Sequence, residues 1–125
     1  MLNFPSSNKK NLKSKERFSR QSFLGKNSEM LFSSLRVGVI GLSGGGSHIV
    51  QQLAHIGFEK YVLADPQVID DESNLNRVVS ATLEDAKNHR SKFDVFERLI
   101  RSLHPDAEIK GGKKKWEEVI NSLKK

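Results

Sequence analysis

A glycine-rich run and a later aspartate are the residues best suited to chemistry in this sequence. Gly41, Gly44 and Gly46 lie in "GLSGGGS", between an apolar run and a segment with helical periodicity. Glycine lets the backbone approach an anion closely, and a helix N-terminus presents free N–H groups and partial positive charge. Asp65 ends a second apolar run, where a carboxylate can accept hydrogen bonds from a ribose. The pattern predicts an adenosine nucleotide site.

Two other interpretations of the glycine run stay open. The run could be a turn that only permits close helix–sheet packing, with Asp65 as a strand-end cap. An NAD-binding oxidoreductase fragment is the other alternative, although the G-x-G-x-x-G pattern is incomplete. Gly41 and Gly46 fit its first and third positions, but Ser43 occupies the second. No G-K-[ST] follows, so a Walker P-loop is not indicated.

Apolar periodicity predicts the elements that must position these residues. Strands are expected at 36–41, buried, and at 60–65, with a third at 107–110 followed by two turning glycines. Helices are expected after the glycine run, at 91–104 and at 114–125. The first of these helices has Ile49, Val50, Leu53 and Ile56 on one face and ends at Gly57.

The alternation of strands and helices predicts an α/β fold with a Rossmann-like parallel sheet, truncated to one β-α-β-α-β-α half. A helical segment at 16–35, broken near Gly25, precedes it. Residues 1–14 are expected to be a disordered basic arm, which leaves 15–125 as the domain. In the usual strand order, the first strand lies at an open edge, which suggests either a cover for that edge or a fragment.

The composition argues against nucleic-acid, membrane and metal-binding functions. The net charge is +6, but residues 1–36 carry all of it, because 37–125 hold thirteen basic and thirteen acidic residues. A nucleic-acid partner is therefore not favoured. No apolar run reaches the roughly 18 residues of a membrane helix, and there is no cysteine for a disulfide or a thiolate zinc site. His48 and His55 are seven apart, which does not suit a metal pair. We expect no metal site, no membrane partner and a cytoplasmic location.

Three motifs together resemble the ThiF/MoeB/HesA family, the E1-like fold of ubiquitin-activating enzymes. They are "RFSRQ", "GLSGGGSHIVQQLAHIGFEKYVLAD" and "ADPQVIDDESNLNR", and the resemblance runs over 17–109. It implies an adenylyltransferase that binds Mg-ATP. A carboxylate attacks the α-phosphate and yields an acyl-adenylate and pyrophosphate. The carboxylate belongs to the C-terminal glycine of a ubiquitin-like or sulfur-carrier protein, or in some relatives to a peptide. A homodimer or a full-length relative is a further implied partner.

The resemblance also assigns roles to individual residues. Gly41, Gly44 and Gly46 would form the nucleotide loop, and Asp65 would hold the ribose hydroxyls. Asn74 and Arg77 would contact phosphates. Arg20 would reach the γ-phosphate, often across a dimer interface in this family. Lys92 would join Arg77 as a catalytic cation, although counting forward from "NLNR" points to Arg90 instead. The alternatives are surface charges for Arg20, Arg77 and Lys92, and turn capping for Asn74.

The sequence departs from the family pattern at several points. Ser43 replaces a loop glycine, and Gln67 stands where an aspartate is common. The segment between Asp65 and Asn74 is one residue longer than usual. The strand that carries the Mg²⁺-binding aspartate in the family would follow Lys125, so the metal ligand is expected outside this chain. We therefore expect the 125 residues to be inactive alone, and a non-catalytic nucleotide-binding or scaffold module is an alternative.

Overall fold

The N-terminal helical segment divides at a glycine. The computed structural model describes residues 17–25 and 27–124, so the predicted arm at 1–14 lies outside the described residues. A 3-10 helix at Ser19–Leu24 is followed by α1, Ser28–Ser34. Gly25 separates them with φ 108°, a left-handed conformation that favours glycine. The break near Gly25 is confirmed, although the first half is 3-10 rather than α-helical.

A three-stranded parallel sheet with helices follows, which confirms the predicted α/β class. Its strands are ordered β1-β2-β3, and Ile40, Ala64 and Gly112 lie side by side. The carboxyl ends of all three strands therefore share one edge. Along the chain, the elements are β1 Arg36–Ile40, α2 Gly44–Ile56, β2 Lys60–Ala64, a 3-10 helix Glu72–Asn76, α3 Leu83–Lys87, α4 Lys92–Leu103, β3 Glu108–Gly112 and α5 Trp116–Leu123.

The core lies where α2 and α4 pack on the central strand. Tyr61 and Leu63 of β2 are fully buried with Val50 of α2 and Phe96 of α4. Each such side chain contributes about 1.5–3 kcal/mol through the area it removes from water. Burial raises the pKa of Tyr61, whose hydroxyl donates to the Phe58 carbonyl at 2.9 Å. The predicted amphipathic helix at 91–104 is confirmed as α4.

The first strand is less buried than predicted. β1 pairs only with β2 among the described strands, so one of its edges is open. Val39 enters the core, but Ile40 on the opposite face is 63% exposed. Ile49, predicted on the apolar face of α2, is 53% exposed, so this face extends beyond the buried core. Both findings have one cause, because an apolar pattern does not reveal whether a neighbouring element covers the surface.

The third strand is longer than predicted. Gly111 and Gly112, expected to turn the chain, belong to β3. A Cβ at Gly111 would lie 2.9 Å from the Leu63 carbonyl carbon and closer still to its oxygen, and φ there is 109°. Glycine at this position therefore permits β3 to approach β2 rather than to leave it. Among the described residues, no helix is long and apolar enough to cross a bilayer.

Candidate functional site

The glycine loop joins the end of β1 to the start of α2. Gly41, with φ 84°, donates its N–H to the Ala64 carbonyl at 2.9 Å, which holds the loop beside β2. A Cβ at Gly46 would lie 2.9 Å from the Gly41 carbonyl carbon and nearer still to the oxygen, whereas one at Gly44 would meet nothing within 4 Å. Gly46 is thus required for packing, while Gly44 leaves open space at the helix start.

Asp65 ties this loop to the segment that follows β2. Its side chain is buried, and one carboxylate oxygen accepts the Leu42 N–H at 2.8 Å. The other oxygen accepts the Gln67 N–H, also at 2.8 Å. These contacts correspond to the strand-end cap alternative. Each carboxylate oxygen has further lone pairs, so the arrangement is compatible with ribose binding. That role stays a prediction.

The predicted phosphate-binding segment forms a capped turn. Asp71 precedes the 3-10 helix Glu72–Asn76 and accepts hydrogen bonds from the N–H and the hydroxyl of Ser73. The Asn74 amide donates to the same carboxylate at 3.2 Å. These bonds, Ser73 foremost, lower the pKa of Asp71. Asn74 therefore makes the turn contacts of its alternative interpretation, and Arg77, just after the helix, is exposed. Phosphate contacts of both remain predictions.

A buried serine that sequence reasoning missed joins the two segments. The Ser47 hydroxyl lies 2.8 Å from the Gly44 carbonyl and 3.2 Å from the Arg77 carbonyl, and it accepts the Val79 N–H at 3.3 Å. The side chain is fully buried. One side chain thus fixes the backbone of Arg77 against the start of α2. The available signal was a small polar residue one position past the glycine run.

The structure separates the two candidate cations. Lys92 begins α4 and is only 3% exposed, and its Nζ donates to Gln67 Oε1 at 2.6 Å. Arg90 instead directs its Nε to the Asp85 carboxylate at 3.0 Å. Lys92 therefore lies beside the segment that leaves Asp65, whereas Arg90 is engaged elsewhere. The geometry favours the lysine, and its phosphate role stays a prediction.

Hydrogen bonds and ion pairs of Asp85 hold the turn that precedes Lys92. Asp85 is buried in α3 and accepts two hydrogen bonds from Arg98, at 2.8 and 2.7 Å. Its backbone carbonyl accepts the Arg90 N–H at 3.0 Å. It also completes a capping box with Thr82. The hydrogen bonds from Arg98, followed by those from Thr82, lower the pKa of Asp85 to about 2.

One predicted site residue lies apart from this cluster. Arg20 is exposed on the 3-10 helix Ser19–Leu24, and no hydrogen bond between described residues joins it to the other predicted site residues. Its role across a dimer interface stays a prediction. Within residues 17–25 and 27–124, no group of three His, Asp or Glu side chains could hold a metal ion.

Comparisons with known proteins identify a family and several similar solved structures. The sequence profile of the ThiF family matches residues 17–125. Three similar solved structures illustrate the fold. TcdA (CsdL) is 25% identical, with a TM-score of 0.70 over 80% of this chain. Escherichia coli TcdA in complex with ATP, a tRNA N6-threonylcarbamoyladenosine dehydratase, is 24% identical, with a TM-score of 0.69 over 88%. Escherichia coli MccB with AMPCPP and MccA is 20% identical, with a TM-score of 0.70 over 96%.

The match covers only part of each of these proteins. This chain spans 40% of TcdA (CsdL), 45% of Escherichia coli TcdA and 42% of Escherichia coli MccB. No curated protein matches the sequence. The comparisons therefore bear on the family of this chain and on the fold of the part that it shares with these proteins.

Proposed function

Because this chain belongs to the ThiF family, we propose that residues 17–125 are the ATP-binding part of an adenylyltransferase. One observation carries the proposal. The open start of α2 at Gly44 lies at the same sheet edge as Asp65, and the buried Lys92 is connected to Asp65 through Gln67. Nucleotides bind at the carboxyl ends of parallel strands in open α/β sheets. Polyphosphate at the helix start and ribose at Asp65 suit this arrangement.

The proposed reaction transfers an adenylyl group to a carboxylate. The carboxylate oxygen forms a bond to the α-phosphorus, the bond from that phosphorus to the bridging oxygen breaks, and pyrophosphate leaves. Negative charge develops on the phosphate oxygens, and positioned cations and N–H donors stabilise it. We assign Arg77 and Lys92 to that task, with Asn74 as a further phosphate contact. Gly41, Gly44 and Gly46 shape the loop, and Arg20 reaches the γ-phosphate from a second copy in a homodimer.

The metal is assigned outside these residues. Mg²⁺ bound to ATP would neutralise phosphate charge, and the resemblance to the family puts its aspartate ligand on a further strand. We propose that the protein ligand of Mg²⁺ lies elsewhere. The chain spans less than half of the compared enzymes. A polypeptide of residues 1–125 alone is therefore expected to bind nucleotide without catalysing exchange of pyrophosphate into ATP.

The proposed carboxylate donor is the C-terminal glycine of a ubiquitin-like or sulfur-carrier protein. A peptide is the alternative donor, since the solved structure of Escherichia coli MccB contains the peptide MccA. Both donors would use the same nucleotide site. They differ only in the polypeptide that brings its carboxylate to the α-phosphate. We place the activity in the cytoplasm, where ATP is plentiful.

A thermal melt of the 125-residue chain with and without millimolar Mg-ATP tests nucleotide binding. A ligand at a hundredfold excess over its Kd stabilises the folded state by about 2.7 kcal/mol. We expect Mg-ATP to raise the Tm and NADH at equal concentration to leave it unchanged. Lys92→Met should abolish the ATP shift, whereas Lys87→Met, which removes an exposed lysine on α3, should preserve it. A larger shift with NADH would refute the proposal, and pyrophosphate exchange by this chain alone would refute its inactivity.

A further inference from the structure

Ser47 connects the start of α2 to the segment that carries Arg77. Its hydroxyl donates toward the Gly44 carbonyl at 2.8 Å and the Arg77 carbonyl at 3.2 Å, and it accepts the Val79 N–H at 3.3 Å. The side chain is fully buried. We propose that Ser47 is a positioning residue that holds Arg77 beside the helix start, where the Arg77 guanidinium binds nucleotide phosphate. The inference rests on the proposed ATP-binding function.

The bonding capacity of the hydroxyl shows that it links two segments. One O–H donor faces two carbonyls, so it is shared between α2 and the segment 77–79, while an oxygen lone pair accepts the Val79 N–H. A serine hydroxyl that bonds only to its own helix gives no advantage over alanine, which is the better helix former. The two bonds to 77–79 are therefore what serine adds at position 47.

The backbone of the segment 77–79 is fixed on its other side as well. The N–H groups of Arg77 and Val78 both donate to a carbonyl of the preceding 3-10 helix, at 3.0 and 2.9 Å. The Val78 side chain is buried in the core. Among the hydrogen bonds of the described residues, those of Ser47 join this segment to the first turn of α2. The position of the Arg77 backbone relative to the helix start therefore depends on this hydroxyl.

An anion can reach both the arginine and the helix start. Arg77 and Gly45 are exposed. A Cβ at Gly44 or Gly45 would meet nothing within 4 Å, so the space beside these residues is open. Free N–H groups at a helix start attract phosphate, and a backbone that is fixed in advance lowers the cost of ordering a guanidinium beside it. Ser47, itself buried, thus supports phosphate binding without touching the ligand.

Calorimetric titration of the 125-residue chain with Mg-ATP and with adenosine tests the inference. Ser47→Ala releases the backbone of Arg77 and should weaken Mg-ATP binding about tenfold, the scale of a hydrogen bond to a charged group. Adenosine, which has no phosphate, should bind as it does to the wild type, whereas a purely structural loss would weaken both ligands equally. Ser122→Ala is the matched control, because it removes a bond to the carbonyl three residues earlier from an exposed position on α5. It should bind both ligands like the wild type.

A conservative variant covers the case in which Ser47→Ala does not fold. Ser47→Cys keeps the approximate size of the side chain, but a thiol is a weaker donor and acceptor than a hydroxyl. Its affinity for Mg-ATP should fall between those of the wild type and of Ser47→Ala. Wild-type affinity for Mg-ATP in either variant, once folded, would overturn the inference.

A double-variant cycle tests whether the effect of Ser47 passes through the arginine. Arg77→Met should itself weaken Mg-ATP binding, and the addition of Ser47→Ala should change the affinity no further. Losses that multiply in the double variant, or equal losses for Mg-ATP and adenosine in Ser47→Ala, would overturn the inference while leaving ATP binding intact. If the wild-type chain binds no Mg-ATP, both this inference and the proposed function fail.

Discussion

Two glycines of the proposed nucleotide loop should respond in opposite ways to the same substitution. Gly44 and Gly46 lie two residues apart in the first turn of α2. A methyl group at Gly44 meets open space, whereas one at Gly46 collides with the Gly41 carbonyl. Sequence patterns treat both as loop glycines. The structure predicts that alanine at the first changes ligand binding and alanine at the second changes folding.

The magnitudes follow from the geometry. Gly44→Ala reduces the freedom of the unfolded chain at a helical position and should stabilise the free protein by about 0.4–1 kcal/mol. Gly46→Ala forces α2 away from Gly41, an overpacking that costs about 1–3 kcal/mol or more. With a change in Tm of roughly 4 °C per kcal/mol for a domain of this size, Gly44→Ala should melt up to about 4 °C higher. Gly46→Ala should melt about 4–12 °C lower.

Melts in the presence of Mg-ATP then separate the two roles. A methyl group in the space of a phosphate should weaken binding about tenfold, which lowers the stabilisation from about 2.7 to about 1.4 kcal/mol at the same ATP concentration. Gly44→Ala should therefore melt higher without nucleotide and gain less from it. If it retained the full ATP shift, the phosphate would not lie over Gly44. If Gly46→Ala melted like the wild type, the inferred packing against Gly41 would be wrong.

Two further predictions concern the groups that hold the site together. Ser47→Ala leaves the Val79 N–H without its partner and should cost about 1 kcal/mol of unfolding free energy. It should also reduce the rise in Tm caused by ATP. Ser102→Ala removes an exposed helical hydroxyl and should change neither the unfolding free energy nor that rise. Equal losses in the two variants would contradict the role of Ser47. Asp85 contributes stability above its unfolded pKa of 3.8 that is lost as pH falls through its folded pKa of about 2. The shift corresponds to at most about 2–3 kcal/mol, and we expect about 1 kcal/mol, because the partner arginines are 42% and 44% exposed. Urea unfolding from pH 2 to 6 should show that the difference in unfolding free energy between wild type and Asp85→Asn decreases below pH 4. A difference that stays constant over this range would contradict the lowered pKa of Asp85.

The α/β class and the order of elements could be predicted from sequence because they depend on local patterns. Alternation of apolar runs and helical periodicity identifies strands and helices without knowledge of their neighbours. The glycine run before α2 and the aspartate at the end of β2 are likewise adjacent to the elements that position them. Parallel strands then bring both to one sheet edge. These features therefore needed no tertiary contact to be recognised.

Contacts between distant segments decided the rest. Counting could not choose between Lys92 and Arg90, but Gln67 and Asp85, which lie 25 and 5 residues earlier respectively, hold them in different places. The exposure of Ile40 depends on whether another element covers β1. Gly111 lies in β3 because a residue without a side chain leaves room for the Leu63 carbonyl of the neighbouring strand. Sequence alone determined which elements form, and it predicted where an anion could bind. Only the folded chain determined which side chains meet there, since hydrogen bonds and burial depend on neighbours that a linear pattern does not specify.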